Sequence, residues 1–242
     1  MQTFPNNVDQ FTDLAIGADG IVYVSWLRCP AVSGECAGQA SQLLLSKSSD
    51  GGNTWSSPVT IATPTLSPDP CACAFWGGLP NTSERISNIP VNAVFGKGNT
   101  AKVYVTFYNW NGSQMQVYLA TSTNGGASFG TPVRVNNSNH GDQFFPWVNL
   151  AANGAIAVTW LDRRNDPSNL TYQPWVAVST DAVHFIGNGA LSTSQSNPLD
   201  DGFGGFFMGD YRTHVFNGRK LFAAWMDMRT GTSRDEVGGA QF

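Results

Sequence analysis

Two segments of this chain set an aromatic, a carboxylate and a guanidinium at alternate positions, Trp160-Leu161-Asp162-Arg163-Arg164 and Trp225-Met226-Asp227-Met228-Arg229. In an extended strand that spacing puts all three on one side, where Asp162 pairs with Arg164 and Asp227 with Arg229. Opposite charges at repeated positions either stitch a fold together or hold a ligand. A second kind of segment mixes acids, arginines and one phenol: Glu84-Arg85-Ile86, Asn139-His140-Gly141-Asp142-Gln143 and Gly209-Asp210-Tyr211-Arg212. His140, His184 and His214 are isolated, so no metal and no cofactor is expected. Cys29 and Cys36 can close a small disulfide loop; plain thiols are the alternative, and without a C-x2-C pair Cys71 and Cys73 add little to a zinc reading.

These residues occupy fixed places in a repeat. Val22-Tyr23-Val24-Ser25-Trp26, Val103-Tyr104-Val105-Thr106-Phe107, Ile156-Ala157-Val158-Thr159-Trp160 and Leu221-Phe222-Ala223-Ala224-Trp225 read as one strand four times. Their aromatics recur at intervals of roughly 50 to 80 residues, which suits a four-stranded propeller blade. The third copy predicts strands over 143–150, 156–160, about 172–178 and near 187–191, with a hairpin at Ala152-Asn153-Gly154. The fourth copy stops in or just after its third strand. Residues 2–11 would supply its outer strand only if the ring closed with these four blades.

Three blades turn their last corner in a common way: Ser48-Ser49-Asp50-Gly51-Gly52-Asn53-Thr54-Trp55, Ser122-Thr123-Asn124-Gly125-Gly126-Ala127-Ser128-Phe129 and Ser179-Thr180-Asp181-Ala182-Val183-His184-Phe185. Asp50, Asn124 and Asp181 are read as structural, accepting backbone N–H groups of their own turns, with the last aromatic plugging each hairpin. Because strands alternate in direction, these corners fall on one face. Arg28, Asn109, both charged pairs and the segments leading into each blade fall on the other, where function is expected to collect.

The 242 residues are 41 % hydrophobic and only 12 % charged, with 26 glycines, the profile of many short strands and tight turns. A net charge of −4 without a basic cluster argues against nucleic acid and against anionic lipid. No apolar run is long enough to span a membrane, and the first residues lack the regions of a signal peptide.

The corner pattern S-x-D-x-G-x-T-W and the strand repeat resemble the bacterial sialidase-like family with Asp-box (BNR) repeats. The resemblance covers nearly all of the chain, densest from Phe145-Pro146-Trp147 to Trp225-Met226-Asp227. It implies an all-β, sialidase-type propeller forming one domain over 1–242 and a secreted or cell-surface setting; its four blades are the C-terminal part of a six-bladed ring, the reading favoured here, or a smaller ring or an open array. It also implies a glycan as partner, with Tyr211 as nucleophile, Asp210 as proton shuttle, and Arg85 and Arg212 holding an anionic group, in a site to which Asp162, Arg164, Asp227 and Arg229 contribute. The chain departs from the family where His140 and Asp142, not an arginine, lead into the third blade, and no glutamate is placed to activate Tyr211. Exo-sialidase hydrolysis therefore stands beside a non-catalytic carbohydrate- or protein-binding propeller, which would use exposed aromatics such as Trp76, Phe144, Phe206 and Phe207.

Overall fold

The computed structural model describes residues 7–30, 35–72, 74–231 and 234–241. Among these residues fifteen strands form four antiparallel sheets in chain order. The first holds β1 (Asn7–Ile16), β2 (Val22–Pro30), β3 (Gln42–Ser48) and β4 (Val59–Ala62). The second holds β5 (Val91–Phe95), β6 (Lys102–Trp110), β7 (Met115–Ser122) and β8 (Val133–Arg134). The third holds β9 (Gln143–Leu150), β10 (Ile156–Asp162), β11 (Gln173–Ser179) and β12 (Ile186–Ala190). The fourth, three-stranded among the described residues, holds β13 (Thr213–Asn217), β14 (Lys220–Asp227) and β15 (Arg234–Gln241). Each repeated segment is the second strand of its sheet.

Residues 2–6 lie outside the described residues, and from Asn7 onward the chain is β1. This strand pairs with β2 from Asn7↔Pro30 to Ile16↔Val22, so it is the innermost strand of the first blade and not the outer strand of the last. A short hairpin turn makes that local pairing less costly in chain entropy than a closure across the whole molecule. The inner strands β1, β5, β9 and β13 stand side by side, and a groove of about 490 Å³ runs between them.

Apolar faces pack between neighbouring sheets. Val91, Tyr104, Val117 and Leu119 of the second blade meet Val148, Val158, Trp160 and Trp175 of the third in one buried cluster. In the first and third blades the hydroxyl just before the repeated aromatic ties one blade to the next. Ser25 Oγ donates to Pro90 O (2.6 Å) and accepts from Asn92 Nδ2 (2.8 Å), and Thr159 Oγ1 lies 3.0 Å from His214 Nδ1. Burial, then the nearby Arg212 charge, pushes His214 down to about 3, so it sits in this interface as the neutral ring.

Two inner strands break their ladder at the level of the repeated aromatic. In β1, Phe11 and Thr12 both fall opposite Trp26; in β9, Phe145 and Pro146 both fall opposite Trp160. Phe11 and Phe145 take positive φ values of 59° and 49°, the backbone signature of a bulge. Burial does not alternate along the start of β9. Gln143, Phe144, Phe145 and Pro146 are all buried, so Phe144 is a core residue and not an exposed contact.

Candidate functional site

The corner turns and the segments leading into the blades lie at opposite ends of the sheets. Asp50 Oδ1 accepts from Thr54 N and Ser48 Oγ, each at 2.8 Å, and Oδ2 accepts from Thr54 Oγ1 at 2.6 Å. Those donors, the Thr54 hydroxyl first, hold its carboxyl down to about 2. Asn124 repeats the pattern on Ser128 N (3.0 Å), and Asp181 on the N–H groups of Val183 and His184, both at 2.8 Å. Phe129 and Phe185 pack against the core, but Trp55, 46 % exposed, lies over its own turn and donates to Gly52 O. It does not plug the blade. The Asp181 corner borders the same depression as the β9–β10 and β13–β14 turns, fixing which end of the sheets these corners occupy.

At the other end a cleft of about 400 Å³ opens among Gln10, Phe11, Thr12, Trp76, Arg85, Ile86, Ser87, Ile89, Asp210 and Tyr211. It joins three candidates, Arg85, Asp210 and Tyr211, from two separate parts of the sequence. Arg85 Nη2 meets Asp210 Oδ2 at 2.5 Å, with the Arg85 side chain 52 % exposed. Tyr211, 79 % exposed, stands beside them at the approach to β13. Gly209 sets up this approach: its φ of +105° favours glycine, and a Cβ there would stand 2.8 Å from Met226 Cγ. The bulge in β1 delivers Phe11, which meets Trp76 edge-on at 4.9 Å. Gln10, Phe11 and Thr12 were missed in the sequence because nothing local marks a bulge.

The remaining candidates lie elsewhere. Arg212 is buried, only 4 % exposed, and its Nη1 donates to Phe145 O at 3.1 Å, so it cannot hold an anion in the cleft. Burial pushes its guanidinium down to about 9. The next residue along from exposed Tyr211 points into the protein, as alternation along an extended segment requires. Asp162 Oδ2 accepts from Trp160 Nε1 (2.6 Å), Arg164 Nε (2.9 Å) and Arg164 Nη2 (2.7 Å), while Arg164 lies over the Trp175 ring at 3.8 Å. Asp227 binds Arg229 Nε (2.6 Å) and Ser196 Oγ (2.7 Å). Both W-x-D-x-R pairs are consumed within and between blades, outside the lining of the cleft.

Beneath the surface an ion pair and a pair of carboxyls order the loops. Asp142 and Arg163 have no exposed side-chain surface and lie 3.7 Å apart. Burial raises Asp142 and lowers Arg163 to about 10, while each charge partly offsets the other's shift. Asp201 accepts four backbone N–H groups, from Phe203 (2.8 Å), Gly205 (2.9 Å), Phe206 (3.1 Å) and Phe207 (2.9 Å). Burial opposes its charge, but those donors outweigh it and hold the carboxyl below its usual range. Facing it, Glu84 is fully buried and raised to about 8, by burial first and by the Asp201 charge second. The proton of this pair therefore stays on Glu84.

Cys29 and Cys36 are joined as a disulfide, and Cys71 is disulfide-bonded as well, which removes all three from a thiolate metal site. Cys73 and Glu236 have side chains outside the described residues, though the Glu236 backbone runs in β15 and not in a loop.

No family model matches the sequence, and no curated protein matches it. Solved structures do. A Dyadobacter fermentans protein of unknown function superposes with a TM-score of 0.59 at 13 % identity, over 98 % of this chain and 66 % of that one. An alpha-L-arabinanase of Penicillium chrysogenum, complexed with arabinobiose, gives 0.52 at 13 % identity, over 95 % of this chain and 76 % of that one. A Trypanosoma rangeli sialidase with the inhibitor DANA gives 0.55 at 12 % identity, over 97 % of this chain and 36 % of that one. The fold is a β-propeller, of which this chain carries four blades. It spans about two thirds of the first of these structures and about a third of the last.

Proposed function

We propose that this chain is a carbohydrate-recognising propeller, acting outside the cell as part of a longer ring, whose Arg85–Asp210–Tyr211 cleft takes a glycan. One observation carries the reading: a single cleft combines an aromatic wall, Phe11 and Trp76, with an exposed phenol and an ion-paired arginine and aspartate. Sugars offer an apolar face to rings and hydroxyls to forked donors and acceptors, so both halves of this lining have a use. The likeness of the fold to an arabinanase and a sialidase supports the proposal, as do disulfides, which persist in oxidising surroundings. Affinity electrophoresis through gels containing soluble polysaccharides tests it. Retardation lost in Trp76→Ala and in Arg85→Ala is expected; equal migration in every gel would end the proposal.

Hydrolysis of a terminal sialic acid is the second reading, favoured by the adjacency of Tyr211 and Asp210 in the cleft. In it Tyr211 attacks the anomeric carbon, the departing oxygen takes a proton through Asp210, and water then releases the sugar. Only Arg85 remains to hold a carboxylate. A fluorogenic sialoside decides the matter: turnover abolished in Tyr211→Phe supports hydrolysis, and no turnover by folded protein removes it.

A further inference from the structure

The lining of the cleft continues beyond Arg85. The Arg85 backbone N–H donates to Phe206 O at 3.4 Å, and the guanidinium lies 4.4 Å from the centre of the Phe207 ring. Phe203 meets Phe207 edge-on at 5.7 Å. Phe203 and Phe206 are 63 % and 54 % exposed. Elsewhere in the lining Trp76 touches Phe11 at 4.9 Å and the exposed Phe75 at 5.0 Å. Two groups of rings thus adjoin the cleft, Phe11, Trp76 and Phe75 in one and Phe207 and Phe203 in the other, with Arg85 touching the second.

Two features make these groups more than scattered exposed phenylalanines. The loop that carries Phe203, Phe206 and Phe207 is tied at four N–H groups to the Asp201 carboxylate, so the rings are held before any ligand arrives. The charges in the cleft also cancel. Arg85, among the described residues the one arginine lining the cleft, is paired with Asp210 and covered on one face by Phe207, so an anionic ligand finds no uncompensated cation among those residues.

Resting on the glycan reading above, we infer that the cleft is the middle of a track that holds several consecutive residues of an extended, uncharged glycan chain, not a pocket for one terminal sugar. A terminal-sugar pocket closes at one end. Here two groups of rings adjoin it, and a protein partner of the same apolar character would have no use for the Arg85–Asp210 pair beside them.

The test is calorimetric titration of the intact chain with neutral arabino-, xylo- and gluco-oligosaccharides of one to six residues, with oligogalacturonides as the anionic counterpart. Affinity for at least one neutral series is expected to climb by about tenfold or more from one residue to four, since each stacked ring contributes up to roughly tenfold. Phe203→Ala and Phe206→Ala should flatten that rise while leaving binding of the shortest ligand unchanged, and Phe206→Tyr should restore it. Both positions are exposed and need not disturb folding. A neutral ligand bound equally well at every length would overturn the track and leave the cleft reading standing. Preference for oligogalacturonides, or turnover of a sialoside, would overturn the uncharged chain. Failure of every sugar in both these titrations and the polysaccharide gels would overturn the cleft reading itself.

Discussion

Replacing Glu84 by glutamine tests the buried acid that underlies the cleft. Its carboxyl is raised from 4.5 to about 8, by burial and then by Asp201, while the Met208 backbone and the Arg163 charge pull weakly the other way. Between those two values the folded protein keeps a proton that the unfolded chain has released. Stability contributed at this site is therefore fully present below about pH 4.5 and declines as pH rises toward 8, by about 1.4 kcal/mol per pH unit. From pH 5 to pH 7.5 the decline amounts to about 3 kcal/mol as an upper figure. Glutamine keeps the shape and has no proton to lose, so Glu84→Gln removes this slope. Urea or thermal unfolding of the two proteins between pH 5 and 8 should give curves that converge near pH 5, with the variant more stable at pH 7.5. At about 2–4 °C per kcal/mol for a chain of this size, the gap in Tm is on the order of 5–10 °C. A gap that is the same at every pH, or a wild type that gains on the variant as pH rises, would refute the reasoning.

Three further outcomes are expected. Asp50→Ala should lower Tm while leaving polysaccharide affinity unchanged, because its turn lies at the far end of the sheets from Arg85; electrophoresis beside a melting curve checks both. Cys29→Ser with Cys36→Ser should cost about 2.5 kcal/mol in urea unfolding, the loop-closure figure for a separation of 7 residues. Thr159→Val should cost about 1–2 kcal/mol by leaving His214 Nδ1 without its buried partner at the third blade interface, read from the same unfolding curves.

The blades were legible because their information is local. Val103–Phe107 and Ile156–Trp160 are short β-rich runs that end in a ring, and β6 and β10 contain them in full. The strand expected over 143–150 is β9 to the residue. The site was only half legible. Arg85, Asp210 and Tyr211 line one cleft, at the end of the sheets to which chain direction assigns them. Arg212 does not join them, since its fate depends on the carbonyl of Phe145, which a bulge has re-aimed. Nor does any spacing connect Glu84 with Asp201. Their encounter is created by two loops from different blades, and only the run Asp201-Gly202-Phe203-Gly204-Gly205-Phe206-Phe207 hints, by its glycines, that an aspartate is being wrapped by its own backbone.

The paired bulges in β1 and β9 carry a consequence for how this scaffold tolerates change. Each inserts one residue opposite the repeated aromatic, so the rim above it keeps its own phase, independent of the ladder below. Residues 7–10 can be recut to suit a new ligand while Leu14 and Ala15 keep the sides they already occupy. Deleting one residue from Phe11-Thr12 would do the reverse, restoring a regular ladder and turning the whole rim segment inside out in a single step.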